Sequence, residues 1–178
     1  AIDCETNELS PTFANIVGFS LSLEDSDSCY IPINHKIDES EKQISEQKFV
    51  ELISPVMSDD SILKIGQNIK YDIIVLNKIG IDVNNVDDTM LMSYVLNAGR
   101  HKHGLDDLAS IYLGHKTILF KEIVGKGREK KSFEQISFDD AKNYAAEDAD
   151  ITFRLWQTFT KSLINQKLFS FYSYIEKP

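Results

Sequence analysis

The chain has 178 residues with 19 Lys plus Arg against 28 Asp plus Glu, a formal net charge of −9. That length suits one domain, since domains commonly hold roughly 100 to 150 residues, and a chain that is 42% hydrophobic, 10% aromatic and 26% charged is neither disordered nor collagen- or mucin-like. No apolar run approaches the roughly 18 residues that a membrane span needs, and no basic region leads into an apolar signal core, so an exported or embedded protein is not expected.

The first third reads as strands at Ala1 to Thr6, Asn15 to Leu23 and Cys29 to Ile33, separated by polar turns, the pattern of a three-strand meander. Beyond a charged loop, Phe49, Leu52, Ile53 and Val56 recur at helical steps and predict an amphipathic helix over Ser45 to Met57. A crossover follows: a buried strand at Ser61 to Ile65, punctuated by Gly66, a helix from Asn68 to Lys78 stopped by Gly80, and a short strand near Val83 to Val86. Helices are then expected at Asp88 to Asn97 and Leu105 to Leu113, with an irregular stretch from Gly114 to Phe133. Ser137 with Asp140 resembles a capping box opening a long last helix, whose apolar face includes Ala141, Tyr144, Ala145, Leu155, Trp156 and Phe159. The chain forms one domain over residues 1 to 178, and both ends read as cut, which predicts a fragment of a longer protein.

Cys4 and Cys29 lack any CxxC or Cys/His ligand spacing and read as reduced core thiols, which suits the cytoplasm. Taken at face value, the acidic total argues against a nucleic-acid partner, because phosphate neutralisation is the main source of that affinity.

Three short segments carry chemistry. In Asp3-Cys4-Glu5-Thr6 the strand alternation points Asp3 and Glu5 the same way, which suits either a solvated strand end or a hard divalent cation. In Gln67-Asn68-Ile69-Lys70-Tyr71-Asp72, Asn68 and Asp72 share a helical face; Asn68 as an N-cap and Asp72 as a first-turn acid explain them equally well. Tyr144 and Asp148 also share a face, with small alanines between them, and a phenol beside a carboxylate on an apolar helix face is costly without partners. Glu147 and Asp150 lie on other faces and read as solvated, as do His101 and His103 in their loop. If Asp3, Glu5, Asp72 and Asp148 converge, they require about two divalent ions, and oxygen-only ligation selects Mg²⁺ or Mn²⁺. Two such ions roughly 3.5–4 Å apart suit in-line phosphodiester hydrolysis.

The order Asp3-x-Glu5, Asn68-x-x-x-Asp72, Tyr144-x-x-x-Asp148 resembles the three motifs of the DEDDy 3′-to-5′ exonuclease superfamily. More narrowly, KIGQNIKYD, DDTMLMSYVLNAGRH, HKTILFKEIVGKG and YAAEDAD are similar to the proofreading domain of bacterial family-A DNA polymerases of the polymerase I type. The resemblance implies an α/β, ribonuclease-H-like fold: a mixed sheet, with a three-strand antiparallel meander plus parallel strands, flanked by helices. It implies that Asp3 bridges two metal ions, that Glu5 and Asp148 complete the shell of the first, that Asp72 serves the second, and that Tyr144 with Glu5 orients the attacking water. Leu9 is implied as a wedge between terminal bases, Tyr71 and Phe120 as apolar or stacking surfaces, Gln67 and Asn68 as contacts to the terminal sugar and phosphates, and Arg100 as a phosphate partner. The implied substrate is a single-stranded or frayed 3′ end of DNA, the product a 5′-mononucleotide, and the partner the polymerase domain of the same parent chain, in a monomer near the bacterial nucleoid. Lys116, Lys121, Lys126, Arg128, Lys130 and Lys131 gather in sequence around Phe120, so the charge is unevenly spread. Competing readings are an exoribonuclease of the RNase D kind and a vestigial domain that only braces a polymerase; the latter typically loses metal carboxylates, and all four are present here.

Overall fold

In the computed structural model, residues 1–36, 43–125 and 131–178 are described. Strand β1 (Ile2–Thr6) pairs antiparallel with β2 (Ile16–Glu24), which pairs antiparallel with β3 (Asp27–Pro32), giving the expected meander in the order β1-β2-β3. Strand β2 is buried over most of its length, Ser20 and Ser22 included, because both its faces are covered. Phe19 points into one core with Phe49, while Val17 points into another with Phe133 and Ala141.

The first core is closed by α1 (Glu46–Met57) and α2 (Lys70–Lys78). Ser45 caps α1 by accepting the Lys48 N–H at 3.2 Å, and Phe49, Ile53 and Met57 face inward, leaving Leu52 and Val56 exposed. Parallel strands β4 (Lys64–Gly66) and β5 (Val86–Asp88) form their own hydrogen-bonded pair, with β4 packed beside β1. Both start later than the sequence predicts. Asp59 Oδ1 accepts the Ser61 N–H at 2.8 Å and turns the chain there, so the ladder begins only where Lys64 donates to Asn85.

Helix α3 (Thr89–Asn97) starts at its Asp88 cap, and α4 (Leu105–Leu108) runs on through a wide turn, Ala109–Leu113, to Gly114 at φ 62°. The stretch expected to be irregular contains α5 (Phe120–Ile123). Helix α6 (Phe138–Asn165) begins at Ser137, whose Oγ accepts the Asp140 N–H at 3.2 Å, as its capping pattern predicts. Its Ile151, Leu155, Phe159 and Leu163 pack with Met92, Leu96 and Leu108. The tail folds back as α7 (Phe169–Phe171) and a wide turn, Tyr172–Glu176. Tyr172 is wholly buried; its hydroxyl accepts the Asp88 N–H at 2.9 Å and donates to Asp87 Oδ1 at 3.2 Å. Asp87 also accepts from Trp156 Nε1 at 2.8 Å and Lys177 Nζ at 3.0 Å.

Cys4 is buried as expected, but Cys29 is exposed: it lies on β3, the edge strand of the meander. Among the described residues no helix is long and apolar enough to cross a membrane.

Candidate active site

Strand β1 supplies Asp3 and Glu5, and α6 lies against the meander close enough to bring a third carboxylate to them. That approach depends on Ala141, Ala145 and Ala149, all fully buried, which keep the inner face of α6 low. Tyr144 and Asp148, one turn apart, project beside this face. One carboxylate oxygen from each of Asp3, Glu5 and Asp148 lies within 4.8 Å of the others. Among the described residues, Glu5 Oε1 is buried with no hydrogen-bond partner.

Such a cluster resists ionisation. Burial first, and then the neighbouring charges, push the carboxyls of Glu5, Asp72 and Asp148 well above the ordinary range, and burial pushes Asp3 up to about 6. The Tyr144 phenol is pushed up as well, by burial and then by Asp148, so it is protonated at neutral pH. Carboxylates held this close are relieved by protons or by a cation, and an all-oxygen donor set with an orphaned buried oxygen fits a hard divalent ion such as Mg²⁺ or Mn²⁺.

Asp72 occupies the first turn of α2, almost fully buried beside Asp3, and is not part of the tight triad. One of its oxygens accepts the Cys4 N–H at 2.8 Å, which fastens α2 to the strand carrying Asp3 and Glu5. Asn68, by contrast, lies outside the helix. The predicted start at Asn68 gives way to Lys70, because Asn68 adopts φ 61° in a left-handed turn, so Asn68 neither caps α2 nor shares its face with Asp72.

A cleft of about 630 Å³ opens over the triad. It is lined by Asp3, Glu5, Tyr144 and Asp148 together with Leu9, Gln67, Asn68, Tyr71 and Phe120, so nine of the eleven residues singled out from sequence meet in one place. Leu9 stands at the rim, 93% exposed. Phe120 is 39% exposed and stacks on Phe133 with centroids 6.4 Å apart, while Tyr144 meets it edge-on at 6.0 Å. The Tyr71 hydroxyl donates to the Glu8 carbonyl at 2.6 Å and lies 2.5 Å from Thr6 Oγ1, which ties down the loop that carries Leu9.

Arg100 is not brought to the cleft: it is exposed, and its guanidinium reaches Asn97 Oδ1 at 3.3 Å. Of the basic group, Lys131 lines the cleft, and Lys126, Arg128 and Lys130 lie outside the described residues. Neither Glu147 nor Asp150 is simply solvated. Glu147 accepts from His115 Nε2 at 2.8 Å and from the Ile118 N–H at 2.6 Å, holding the segment before Phe120; Asp150 accepts the Ser26 N–H at 2.5 Å and pairs with Arg154 at 3.3 Å. His101 and His103 are half-buried, engaged with Tyr112 and Ser93, because their loop folds back on α3 and the turn after α4.

Sequence reasoning also passed over Asp88 and Thr89. Asp88 is 3% exposed and accepts four backbone N–H groups, from Asn68, Ile69, Met90 and Leu91. An Asp directly before an apolar helical run is a readable cap; its second pair of donors, twenty residues upstream, depends on the β4–β5 pairing and leaves no local trace.

A family model described as 3′-5′ exonuclease matches residues 1–164. DNA polymerase I of Rhizobium leguminosarum is 37% identical over 195 residues, covering 100% of this chain and 19% of that protein; DNA polymerase I of Pseudomonas aeruginosa is 38% identical over 166 residues, covering 92% and 18%. The chain thus spans about a fifth of the length of the curated relatives it matches. Among solved structures, Brucella melitensis NrnC superposes with a TM-score of 0.72 at 22% identity, covering 96% of this chain and 76% of that one. The POL domain of Pol1 from M. smegmatis gives 0.73 at 18% identity, covering 98% and 26%. At those identities the structural likeness speaks for the fold, which is the α/β architecture expected from sequence.

Proposed function

The chain belongs to the 3′-5′ exonuclease family, and on that premise we propose that it is the proofreading domain of a longer DNA polymerase, one domain over residues 1 to 178. It hydrolyses the terminal phosphodiester bond of single-stranded or frayed DNA 3′ ends and releases 5′-mononucleotides. It works as a monomer in the bacterial cytoplasm, next to the polymerase domain of its parent chain. The observation that carries this reading is the triad of Asp3, Glu5 and Asp148 within 4.8 Å, with a buried Glu5 oxygen that has no partner among the described residues.

Asp3, Glu5 and Asp148, with Asp72 beside them, would hold the Mg²⁺ or Mn²⁺ ions. When bound, the ions supply acidification of water and stabilisation of charge on the leaving oxygen. Tyr144, protonated and fixed against Phe120, orients the attacking water together with Glu5 and does not act as a base. Leu9 wedges between the terminal bases, Phe120 and Tyr71 offer apolar faces to them, Gln67 and Asn68 meet the terminal sugar and phosphate, and Arg100 reaches a phosphate farther along the strand. Selectivity for errors follows because a mismatched end unpairs more cheaply and so reaches a single-strand cleft more often. Retention of all four carboxylates, three gathered at the cleft and Asp72 buried beside Asp3, weighs against a vestigial bracing role.

The test is Mg²⁺- or Mn²⁺-dependent release of 3′ nucleotides from labelled single-stranded DNA. The wild type is expected to be active and Asp72→Ala to lose at least about a hundredfold. Equal rates in the two proteins, or a preference for RNA ends, would overturn the assignment.

A further inference from the structure

The turn that joins β4 to α2 carries Gln67 and Asn68 into the cleft; Gly66 and Asn68 permit its shape, and partners from outside the turn hold it. Asn68 sits at φ 61°, and the chain folds so tightly over Gly66 that a Cβ there would lie 2.8 Å from the Ile69 Cβ. The Asn68 and Ile69 N–H groups are each met by one oxygen of Asp88 at 3.0 Å. Capping α3 would occupy only the bonds to Met90 and Leu91; the reach to the other turn is additional. Thr89, fully buried, fixes the side chain as Asp88 fixes the backbone. Its hydroxyl lies 2.5 Å from Gln67 Oε1 and 3.1 Å from the Gly66 carbonyl, while Gln67 Nε2 donates to the His103 carbonyl at 2.8 Å. Held at both ends, the Gln67 amide keeps one N–H and one lone pair for a ligand. Neither Asp88 nor Thr89 lines the cleft.

From this juxtaposition we infer that Asp88 and Thr89 are positioning residues for the 3′-terminal nucleotide: they preset the Gln67–Asn68 turn so that its polar groups meet the terminal sugar and phosphate without rearrangement. The inference rests on the exonuclease reading of the cleft. Groups fixed before the substrate arrives lower the entropy cost of binding, so loosening them weakens substrate capture more than the chemical step.

Steady-state release of 3′ nucleotides from a single-stranded DNA oligonucleotide with Mg²⁺ tests it. Thr89→Val is expected to raise KM about tenfold while kcat falls less than about threefold, and Thr89→Ser, which keeps the hydroxyl, to restore KM. Asp88→Asn replaces one acceptor oxygen with a donor and is expected to raise KM further. If Asp88→Asn does not fold, the Thr89 pair decides. The rise in thermal midpoint on adding Mg²⁺ is expected to match the wild type in Thr89→Val, since the carboxylate triad is untouched. An active wild type with unchanged KM in Thr89→Val, or a KM that Ser fails to restore, overturns the positioning role alone; a wild type that releases no nucleotide overturns both this role and the function it serves.

Discussion

Tyr144 and Asp148 stand one turn apart on α6, and their burial gives the phenol a role its solution chemistry would not. Held above its ordinary range by burial and by the Asp148 charge, it can donate a hydrogen bond but cannot take a proton near neutrality. Tyr144→Phe is therefore expected to lower kcat about a hundredfold, while the thermal shift produced by Mg²⁺ stays that of the wild type. A Phe variant that loses the metal-induced shift would place the hydroxyl among the ligands instead. The carboxylates make a second prediction. An unfolded Asp ionises near 3.8, whereas folded Asp3 keeps its proton up to about 6. The folded state thus binds more protons between those values, and the metal-free protein loses stability as pH rises through that window. Melting in EDTA is expected at lower temperature near about pH 7.5 than near about pH 5, with Mg²⁺ raising the midpoint more at the higher pH. An equal Mg²⁺ shift at both values would contradict the cation-binding triad. These residues were legible because the two-residue period of a strand and the four-residue step of a helix each put two of them on one face. Asn68 was misread because periodicity does not register a left-handed residue, and Asp88 and Thr89 were missed because their partners are distant in sequence.

At the scale of elements, the meander shows what a strand pattern conveys and what it omits. Alternation in β1 and the recurring apolar residues of β2 announce the strands, but neither pattern marks Gly18. In the fold it stands directly across from Glu5, and a Cβ there would fall 1.9 Å from the Tyr30 hydroxyl, which also lies 2.6 Å from His35 Nε2. Tyr30 fills the space that a side chain at 18 would take, between the strand of the carboxylates and the core around Phe133. Gly18→Ala is expected to cost roughly 1–3 kcal/mol through overpacking, measured by urea unfolding. A loss below about 0.5 kcal/mol would mean that Tyr30 moves aside freely. Strand limits at β4 and β5 slipped because they are set by an Asp59 turn and by where the partner strand begins, not by hydrophobicity. The α6 cap at Ser137 was readable because capping is local chemistry.

Taken whole, the molecule spreads its −9 unevenly. Three of its acids gather in one cleft with Asp72 buried behind them, and two divalent ions there would bring −9 to −5. The remaining acidity disfavours strong, sequence-independent attraction to a phosphate backbone. The tail was legible only as a helical remnant, because the partners of Tyr172 are more than eighty residues away. Tyr172→Phe is expected to lower stability by about 1–3 kcal/mol, since the buried Asp88 N–H loses its acceptor, and urea unfolding measures it. An unaltered midpoint would show that this hydroxyl does not secure the tail.

That tail also gives the molecule a mechanical direction. Tension applied at the C-terminus meets the Lys177–Asp87 pair first and the Tyr172 hydroxyl next. Both are anchored on the two residues that end β5, and the second of these, Asp88, grips the Gln67–Asn68 turn. A tug on the tail is therefore delivered through Lys177, Tyr172, Asp87 and Asp88 to the Gln67–Asn68 turn that lines the cleft, without first unwinding α6.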